Sequence, residues 1–134
     1  MPSERVRTSN PPGAPPAFRP YYSNAVRVSS GDLLFISGQV AWDVDGNVVG
    51  KGDPQQQAEQ VFANIAAILS AHDATFADII KVTVYVTDLS WFEQLSDIRR
   101  RVFGESPPAS VIVQVSSLVQ ADLLVEVEAV AAVG

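Results

Sequence analysis

The chain contains no cysteine and a single histidine, His72. The lack of cysteine excludes disulfide bonds, thiolate catalysis, iron–sulfur clusters and cysteine-ligated zinc. One histidine cannot supply the histidine cluster that transition-metal sites commonly use. We therefore expect a protein without a bound metal ion. For His72, which follows a predicted helix, a solvated position is favoured over a role as a general base.

Basic residues and long apolar runs are also scarce. Nine lysines and arginines stand against 15 aspartates and glutamates, which gives a net charge of −6. This balance disfavours nucleic-acid binding, which needs a basic surface to displace counterions. No apolar run approaches the ~20 residues of a membrane span, and the N-terminus lacks the pattern of a secretory signal. We expect a soluble, cytoplasmic protein that binds neither nucleic acid nor a membrane.

The length, the hydrophobic content and the distribution of proline predict one domain preceded by an arm. The chain has 134 residues, of which 47% are hydrophobic, as expected for one domain with one core. Six of its nine prolines lie within the first twenty residues. Residues 1–19 show neither helical nor strand periodicity. The sequence therefore predicts an extended, proline-rich arm over residues 1–19 and a single domain over residues 20–134.

Turn signals and apolar alternation predict five strands in this domain. Residues 25–28 and 33–37 flank a turn-forming Ser-Ser-Gly-Asp cluster and predict a β-hairpin. Three further strands are predicted over residues 79–87, 110–115 and 123–133, because these runs are β-rich and two of them alternate between apolar and polar residues.

Two amphipathic helices are predicted between these strands. The first begins at an N-cap, Asp53, with Gln56 completing a capping-box pattern, and it ends near Ala71. The second begins at a capping box formed by Ser90 and Glu93 and ends before residue 104, a glycine. The order β-β-α-β-α-β-β predicts an α+β fold in which two helices pack on one face of a sheet.

The other face of the predicted sheet is polar. Alternation places on it Lys81, Thr83, Tyr85, Ser110 or its neighbours, Gln114, Glu126 and Glu128. These side chains are too polar for a core, yet they belong to strands that look central. Such a face contacts either water or another subunit.

No single motif in the sequence identifies a function on its own. No phosphate-binding loop, nucleophile elbow or metal motif is present. Glu126 and Glu128 fit either an acid–base pair or two solvated carboxylates, the second being the more common case. The run of three arginines at residues 99–101 spans most of a helix circumference and is favoured as a solvated or ion-paired face. The pair Tyr21 and Tyr22 fits either ligand binding or packing at a strand edge.

Five ordered blocks, however, resemble the RidA (YjgF) family of reactive-intermediate deaminases. They are residues 22–26 (YSNAV), 34–39 (LFISGQ), 82–89 (VTVYVTDL), 103–104 (FG) leading to 107–109 (PPA), and 125–129 (VEVEA). The resemblance covers about residues 14 to 130 without large gaps.

The resemblance implies a chorismate-mutase-like α+β fold and a homotrimer whose sheets face inward. Each subunit interface would hold a pocket for a small-molecule ligand. The activity implied is hydrolysis of enamines and imines, such as 2-aminoacrylate, to a keto acid and ammonia, without a metal or a cofactor. A ribonuclease activity, which is ascribed to some relatives, is disfavoured by the net charge.

The resemblance also implies roles for particular residues. Glu126 would hold the hydrolytic water, and Tyr22, Gly38 and Ile112 would line the substrate pocket. Ser96 takes the position of an asparagine on the second helix of active relatives and is likewise expected at the substrate.

Ser110 departs from the family pattern, because active relatives have at this position an arginine that binds the substrate carboxylate. A serine hydroxyl cannot replace a charged, two-pronged donor. We expect residues 99–101 to lie on the helix layer, on the far side of the sheet from the pocket, so that they can replace this arginine only if a neighbouring subunit contributes them. We also expect little activity on 2-aminoacrylate. Two hypotheses follow. The chain is a hydrolase of altered specificity, in which Ser110 binds a neutral or differently shaped substrate, or it is a ligand-binding or regulatory trimer without catalytic activity.

Overall fold

The computed structural model describes residues 5–134 as six strands and two α-helices, with two short 3-10 helices at 76–78 and 89–91. The strands are β1 Val6–Ser9, β2 Ala25–Val28, β3 Asp32–Val40, β4 Ile79–Val86, β5 Ala109–Gln114 and β6 Val125–Val133. The helices are α1 Pro54–Ser70 and α2 Phe92–Phe103. None of the helices in this part of the chain has the length and apolar character needed to cross a membrane.

The main sheet has four strands in the order β3-β6-β4-β5. Strand β6 runs antiparallel to β3 and β4, whereas β4 and β5 are parallel. The parallel pair is joined through α2, which brings this helix back across the sheet. Both helices cover one face, so the α+β fold with two helices on one face of a sheet is confirmed.

Helix α1 begins where the sequence predicts. The side chain of Asp53 accepts a hydrogen bond from the backbone N–H of Gln56 at 3.1 Å, and Pro54 occupies the first turn, where its missing N–H costs no bond. The apolar stripe that follows is buried against the sheet and comprises Ala58, Val61, Phe62, Ile65 and Leu69. Burial of this stripe holds the helix in place, since isolated helices of this length are marginal in water.

A buried amide fastens α1 to the connection that precedes β6. Gln57 is fully buried and makes three hydrogen bonds to backbone groups. Its Nε2 donates to the carbonyls of Gly50 at 3.1 Å and Asp122 at 2.8 Å, and its Oε1 accepts from the N–H of Leu124 at 2.8 Å. Gln57 therefore provides hydrogen-bond partners for three backbone groups that lie outside the strands and helices.

The predicted hairpin between residues 25–28 and 33–37 is wrong. Strand β2 pairs antiparallel with β1, from the N-terminal arm, and β3 pairs with β6 instead. The arm forms a strand at Val6–Ser9, although its sequence shows no strand periodicity. Four residues with one buried side chain, Val6, are too short to show alternation, and their partner strand lies about twenty residues further on. Residues 1–4 of the predicted arm lie outside the described residues.

The predicted capping box at the start of α2 is wrong as well. The carboxylate of Asp88 accepts the N–H of Ser90 at 2.8 Å and begins a 3-10 turn over Leu89–Trp91. Helix α2 then starts at Phe92, and its N-cap residue makes no side-chain hydrogen bond. Asp88 is the better acceptor because its carboxylate is charged, so it takes the N–H one turn earlier than predicted.

The face of the sheet opposite the helices, hereafter the open face, is more apolar than predicted. In the parallel pairing Ser110 and Gln114 lie beside the core residues Val82 and Val86, so both point to the helix side. Gln114 accepts a hydrogen bond there from the N–H of Leu89. The open face instead carries four exposed apolar side chains, which are Leu33, Phe35, Val111 and Val113.

Candidate functional site

Glu126 lies on the open face, in the middle of the sheet. It pairs with Tyr85 of β4, and its neighbours Val125 and Val127 point into the core. On the other side β3 shifts register between Ile36 and Gln39. Gly38 lies in this irregular segment, and a Cβ there would be 2.8 Å from Cδ of Glu126. Glycine at this position therefore leaves the space that the Glu126 carboxyl group occupies.

The two glutamates of β6 differ in their surroundings. Burial raises the pKa of Glu126, and the nearby charge of Glu128 raises it further. Glu128 is more exposed and accepts a hydrogen bond from the Tyr85 hydroxyl at 2.7 Å. That bond raises the pKa of Tyr85, so the phenol stays protonated and keeps donating. The Glu128 carboxylate therefore already accepts a hydrogen bond from Tyr85. Glu126 is a carboxylate with a raised pKa that can accept a proton.

A cavity of about 310 Å³ opens on the same face. Its wall is formed by Phe35, Ile36, Ser37, Lys81, Thr83, Glu128, Ala129 and Val130. Lys81 brings a cation to this wall and Glu128 a carboxylate. Among residues 5–134 no three acidic or histidine side chains converge closely enough to hold a metal ion.

A second cavity, of about 380 Å³, lies beside edge strand β5 and is hereafter the β5 cavity. It is lined by Arg19, Tyr21, Tyr22, Phe92, Arg99, Ser110, Val111 and Ile112. Three of the residues predicted to bind substrate, Tyr22, Ser110 and Ile112, therefore come together here. The hydroxyl of Tyr22 accepts a hydrogen bond from the N–H of Phe18 at 3.0 Å, which holds the ring at the cavity wall.

The structure corrects the expected position of Arg99 relative to the pocket. Its Nη2 donates a hydrogen bond of 2.6 Å to Oγ of Ser110, and its guanidinium lies 4.4 Å from the ring centroid of Tyr21. Arg99 lies on the helix layer as expected, but Ser110 also points to the helix side, so the sheet does not separate the two residues. The Arg99 guanidinium therefore lies beside the Ser110 hydroxyl, where the sequence predicts no cation. The reason given for low activity on 2-aminoacrylate no longer holds.

Arg99 and Tyr21 also line the cavity. From the sequence, Tyr21 fits either ligand binding or packing, and Arg99 is favoured as part of a solvated or ion-paired face. A signal for Arg99 was present, since it lies four residues after Leu95 and four before Phe103 on the buried stripe of α2. An arginine on such a stripe predicts a buried cation. The other two arginines of the run face outward, and Arg100 and Arg101 pair with Asp97 and Glu59.

Ser96 is placed differently from the other predicted residues. It is 1% exposed, it does not line the β5 cavity, and its hydroxyl donates to the carbonyl of Phe92 at 2.6 Å. Its role in binding substrate stays a prediction.

Within one protomer the predicted residues form two groups on opposite faces of the sheet. Glu126 and Gly38 lie on the open face, whereas Ser110 and Ile112 pair with the core residues Val82 and Val84 and face the helix side. Side chains on opposite faces cannot contact one substrate. The two groups can contribute to one site only if different protomers supply them.

Comparison with known proteins gives one consistent result. Residues 13–133 match the family model described as endoribonuclease L-PSP. A RutC family protein of Pyrococcus abyssi is 42% identical over 110 residues, which cover 82% of this chain and 84% of the relative. A 2-iminobutanoate/2-iminopropanoate deaminase of Bos taurus is 35% identical over 121 residues, which cover 90% of this chain and 85% of the relative.

Solved structures agree with the sequence comparisons. The crystal structure of YyfB from Yersinia pestis, described as a protein of unknown function of the conserved Rid family, superimposes with a TM-score of 0.90 and 32% identity, covering 96% of this chain and 99% of that chain. RidA from an Antarctic Psychrobacter gives a TM-score of 0.71 at 32% identity, covering 98% of this chain and 100% of that chain. On the evidence of its sequence, its sheet and its helices, the chain belongs to the RidA (YjgF) family.

Proposed function

We propose that this protein hydrolyses enamines and imines to carbonyl compounds and ammonia, at pockets formed between the subunits of a homotrimer. Relatives that carry the name 2-iminobutanoate/2-iminopropanoate deaminase align with 90% or more of this chain at 31% to 35% identity. Family membership alone does not define an activity, because one fold can support different reactions. The proposal therefore rests on what the residues of this chain can do.

The observation that carries the proposal is the state of Glu126. Burial and the charge of Glu128 raise its pKa, so the carboxylate binds a proton more readily than an exposed glutamate does. A general base works best when its pKa approaches the working pH. Gly38 leaves the space in which the Glu126 carboxyl group lies, and Glu126 is only partly buried, so a water molecule can reach the carboxylate from the open face.

The proposed reaction needs one water molecule and one group that accepts and returns a proton. The water oxygen bonds to the imine carbon while Glu126 takes a water proton, and the π electrons of the C=N bond move to nitrogen. Glu126 then returns the proton to the nitrogen. As the carbon–nitrogen bond breaks, the hydroxyl oxygen forms the carbonyl and releases its proton, so one protonated imine and one water give one carbonyl compound and one ammonium ion. No metal or cofactor takes part.

A homotrimer is proposed for two reasons. The open face exposes Phe35 by 73% and Leu33 by 53%, and large apolar groups on a sheet face are typical of subunit interfaces. Glu126 and Ser110 also lie on opposite faces of the sheet in one protomer. A neighbouring protomer that packs against the open face would bring a second set of site residues close to Glu126.

The proposed specificity differs from that of relatives with an arginine on the strand equivalent to β5. In this chain the guanidinium comes from α2 and contacts Ser110 from the helix side. The cation therefore enters the cavity from the helix and not from the strand, and the shape of the accepted substrate changes with it.

The proposal is tested by generating 2-aminoacrylate in the presence of the purified protein and following keto-acid and ammonia release. We expect release faster than spontaneous hydrolysis and proportional to the protein concentration. A rate equal to the spontaneous rate across a set of imines with small and branched side chains would favour the alternative of a non-catalytic binding trimer. Addition of RNA serves as a second arm, in which the net charge of −6 predicts no cleavage.

A further inference from the structure

The β5 cavity contains a buried positive charge that is not paired within the described residues. Arg99 is 3% exposed, and none of the carboxylates of residues 5–134 forms an ion pair with it. Its chain neighbours Arg100 and Arg101 are exposed and bind Asp97 and Glu59, each at 3.3 Å. A buried charge without a counterion is costly unless an anion joins it.

The contacts of Arg99 fix its position but use few of its donors. Nη2 donates to Ser110 Oγ, and the guanidinium stacks over Tyr21. Nε and Nη1 are buried and have no hydrogen-bond partner among residues 5–134, and the same is true of the Tyr21 hydroxyl. A guanidinium carries five N–H donors, so most of the donors of Arg99 lack an acceptor in this part of the chain. Serine and tyrosine hold the cation without neutralising it.

The rest of the cavity indicates which anion fits. Its walls include Tyr22, Phe92 and Ile112, which are apolar over most of their surface. The other cation of the wall, Arg19, is already paired with Glu93 at 3.2 Å. A phosphate dianion would leave charge uncompensated beside a single available cation, whereas a carboxylate matches one guanidinium in charge and in its planar, two-oxygen geometry.

We infer that Arg99, oriented by Ser110 and Tyr21, binds the carboxylate of a small 2-imino or 2-oxo acid in the β5 cavity. The inference rests on the proposed function, for which it assigns a carboxylate-binding residue on α2 in place of one on β5. It makes Arg99 the binding residue and Ser110 a positioning residue that acts through the guanidinium.

A guanidinium at position 110 and one at position 99 exclude each other in this arrangement. Ser110 Oγ lies 2.6 Å from Nη2 of Arg99, so an arginine at position 110 would bring two cations together in a buried site. The variant Ser110→Arg is therefore expected to lose carboxylate binding. The double variant Arg99→Met, Ser110→Arg keeps one cation in the cavity and is expected to recover it.

Binding is measured by calorimetry on the full-length protein with 2-oxobutanoate, which cannot be deaminated, and with its neutral amide. We expect the carboxylate to bind roughly 10- to 100-fold more tightly than the amide, the range for hydrogen bonds to a charged group. Arg99→Met, which keeps the length of the apolar stem, should abolish this preference, and Arg99→Lys should keep only part of it. Arg100→Met is the matched control, because Arg100 is exposed and paired with Asp97.

Equal affinity of the wild-type protein for the acid and the amide would overturn the inference. It would also be overturned if Arg99→Met kept the preference. A third contrary result is that the wild type binds no carboxylate and Arg99→Met loses its oligomeric state, because a glutamate or aspartate of another copy would then be the partner of Arg99. Imine turnover without a carboxylate preference would refute the inference alone. A carboxylate preference that depends on Arg99, without any turnover, would refute the proposed function alone.

Discussion

Substitution of Phe35 on the open face is expected to dissociate the proposed trimer. Phe35 is 73% exposed in the protomer, pairs with Val130 of β6, and points away from the core. Burying that exposed part against a neighbour at about 25 cal/mol per Å² would stabilise the assembly by roughly 3 kcal/mol per protomer. Over three copies the loss is roughly 9 kcal/mol, which corresponds to roughly a millionfold in the association constant.

The variant Phe35→Glu removes this contribution and brings a carboxylate to a face that already carries Glu126 and Glu128. We expect sedimentation velocity at micromolar concentration to show a trimer for the wild type and a monomer for Phe35→Glu. Phe18→Glu is the matched control, because Phe18 is 74% exposed but lies in the N-terminal arm. A wild-type monomer, or a Phe35→Glu variant that sediments with Phe18→Glu as a trimer, would refute the assignment of the open face as the interface.

Three further predictions concern the core and the site. Replacing Gln57 by leucine leaves buried backbone groups without partners, among them the N–H of Leu124, and should lower the free energy of unfolding by roughly 3–6 kcal/mol in urea titrations at fixed protein concentration; a loss below 1 kcal/mol would contradict this. Gly38→Ala places a methyl group against the Glu126 carboxyl group and should reduce kcat/KM about tenfold or more with the oligomeric state unchanged. Glu128→Gln removes a charge that raises the pKa of Glu126, so Glu126 ionises at lower pH and the acid limb of the kcat/KM profile should move to lower pH; an unmoved limb would show that the two carboxylates are not coupled.

Features that depend on local sequence were predicted correctly, with the exception of the N-cap of α2. Helix α1 starts at Asp53 and Pro54 because a cap and a favourable first residue stand next to an apolar stripe. Strand β4 was predicted over 79–87 and is observed over Ile79–Val86, since alternation is a local property. The α+β arrangement follows from the order of such elements.

Features that depend on distant pairing were not predicted correctly. Strand β2 pairs with a four-residue strand of the arm, and neither strand carries a pattern that identifies the other. The face on which Ser110 points is set by its pairing with Val82, not by its own strand. The contact between Arg99 and Ser110 follows from that pairing, so the cation in the β5 cavity was not predicted from the arginine run alone.

The central claim, that Glu126 activates water for imine hydrolysis, is tested most directly by comparing Glu126→Gln with Glu128→Gln in steady-state turnover of an imine formed in situ. Both variants keep the size and shape of the side chain, but only Glu126 is expected to accept the water proton. We predict that Glu126→Gln lowers kcat by roughly 10²- to 10⁴-fold, the usual contribution of a general base, while Glu128→Gln stays within about tenfold of wild type near neutral pH. Full activity in Glu126→Gln, with or without a loss in Glu128→Gln, would contradict the account.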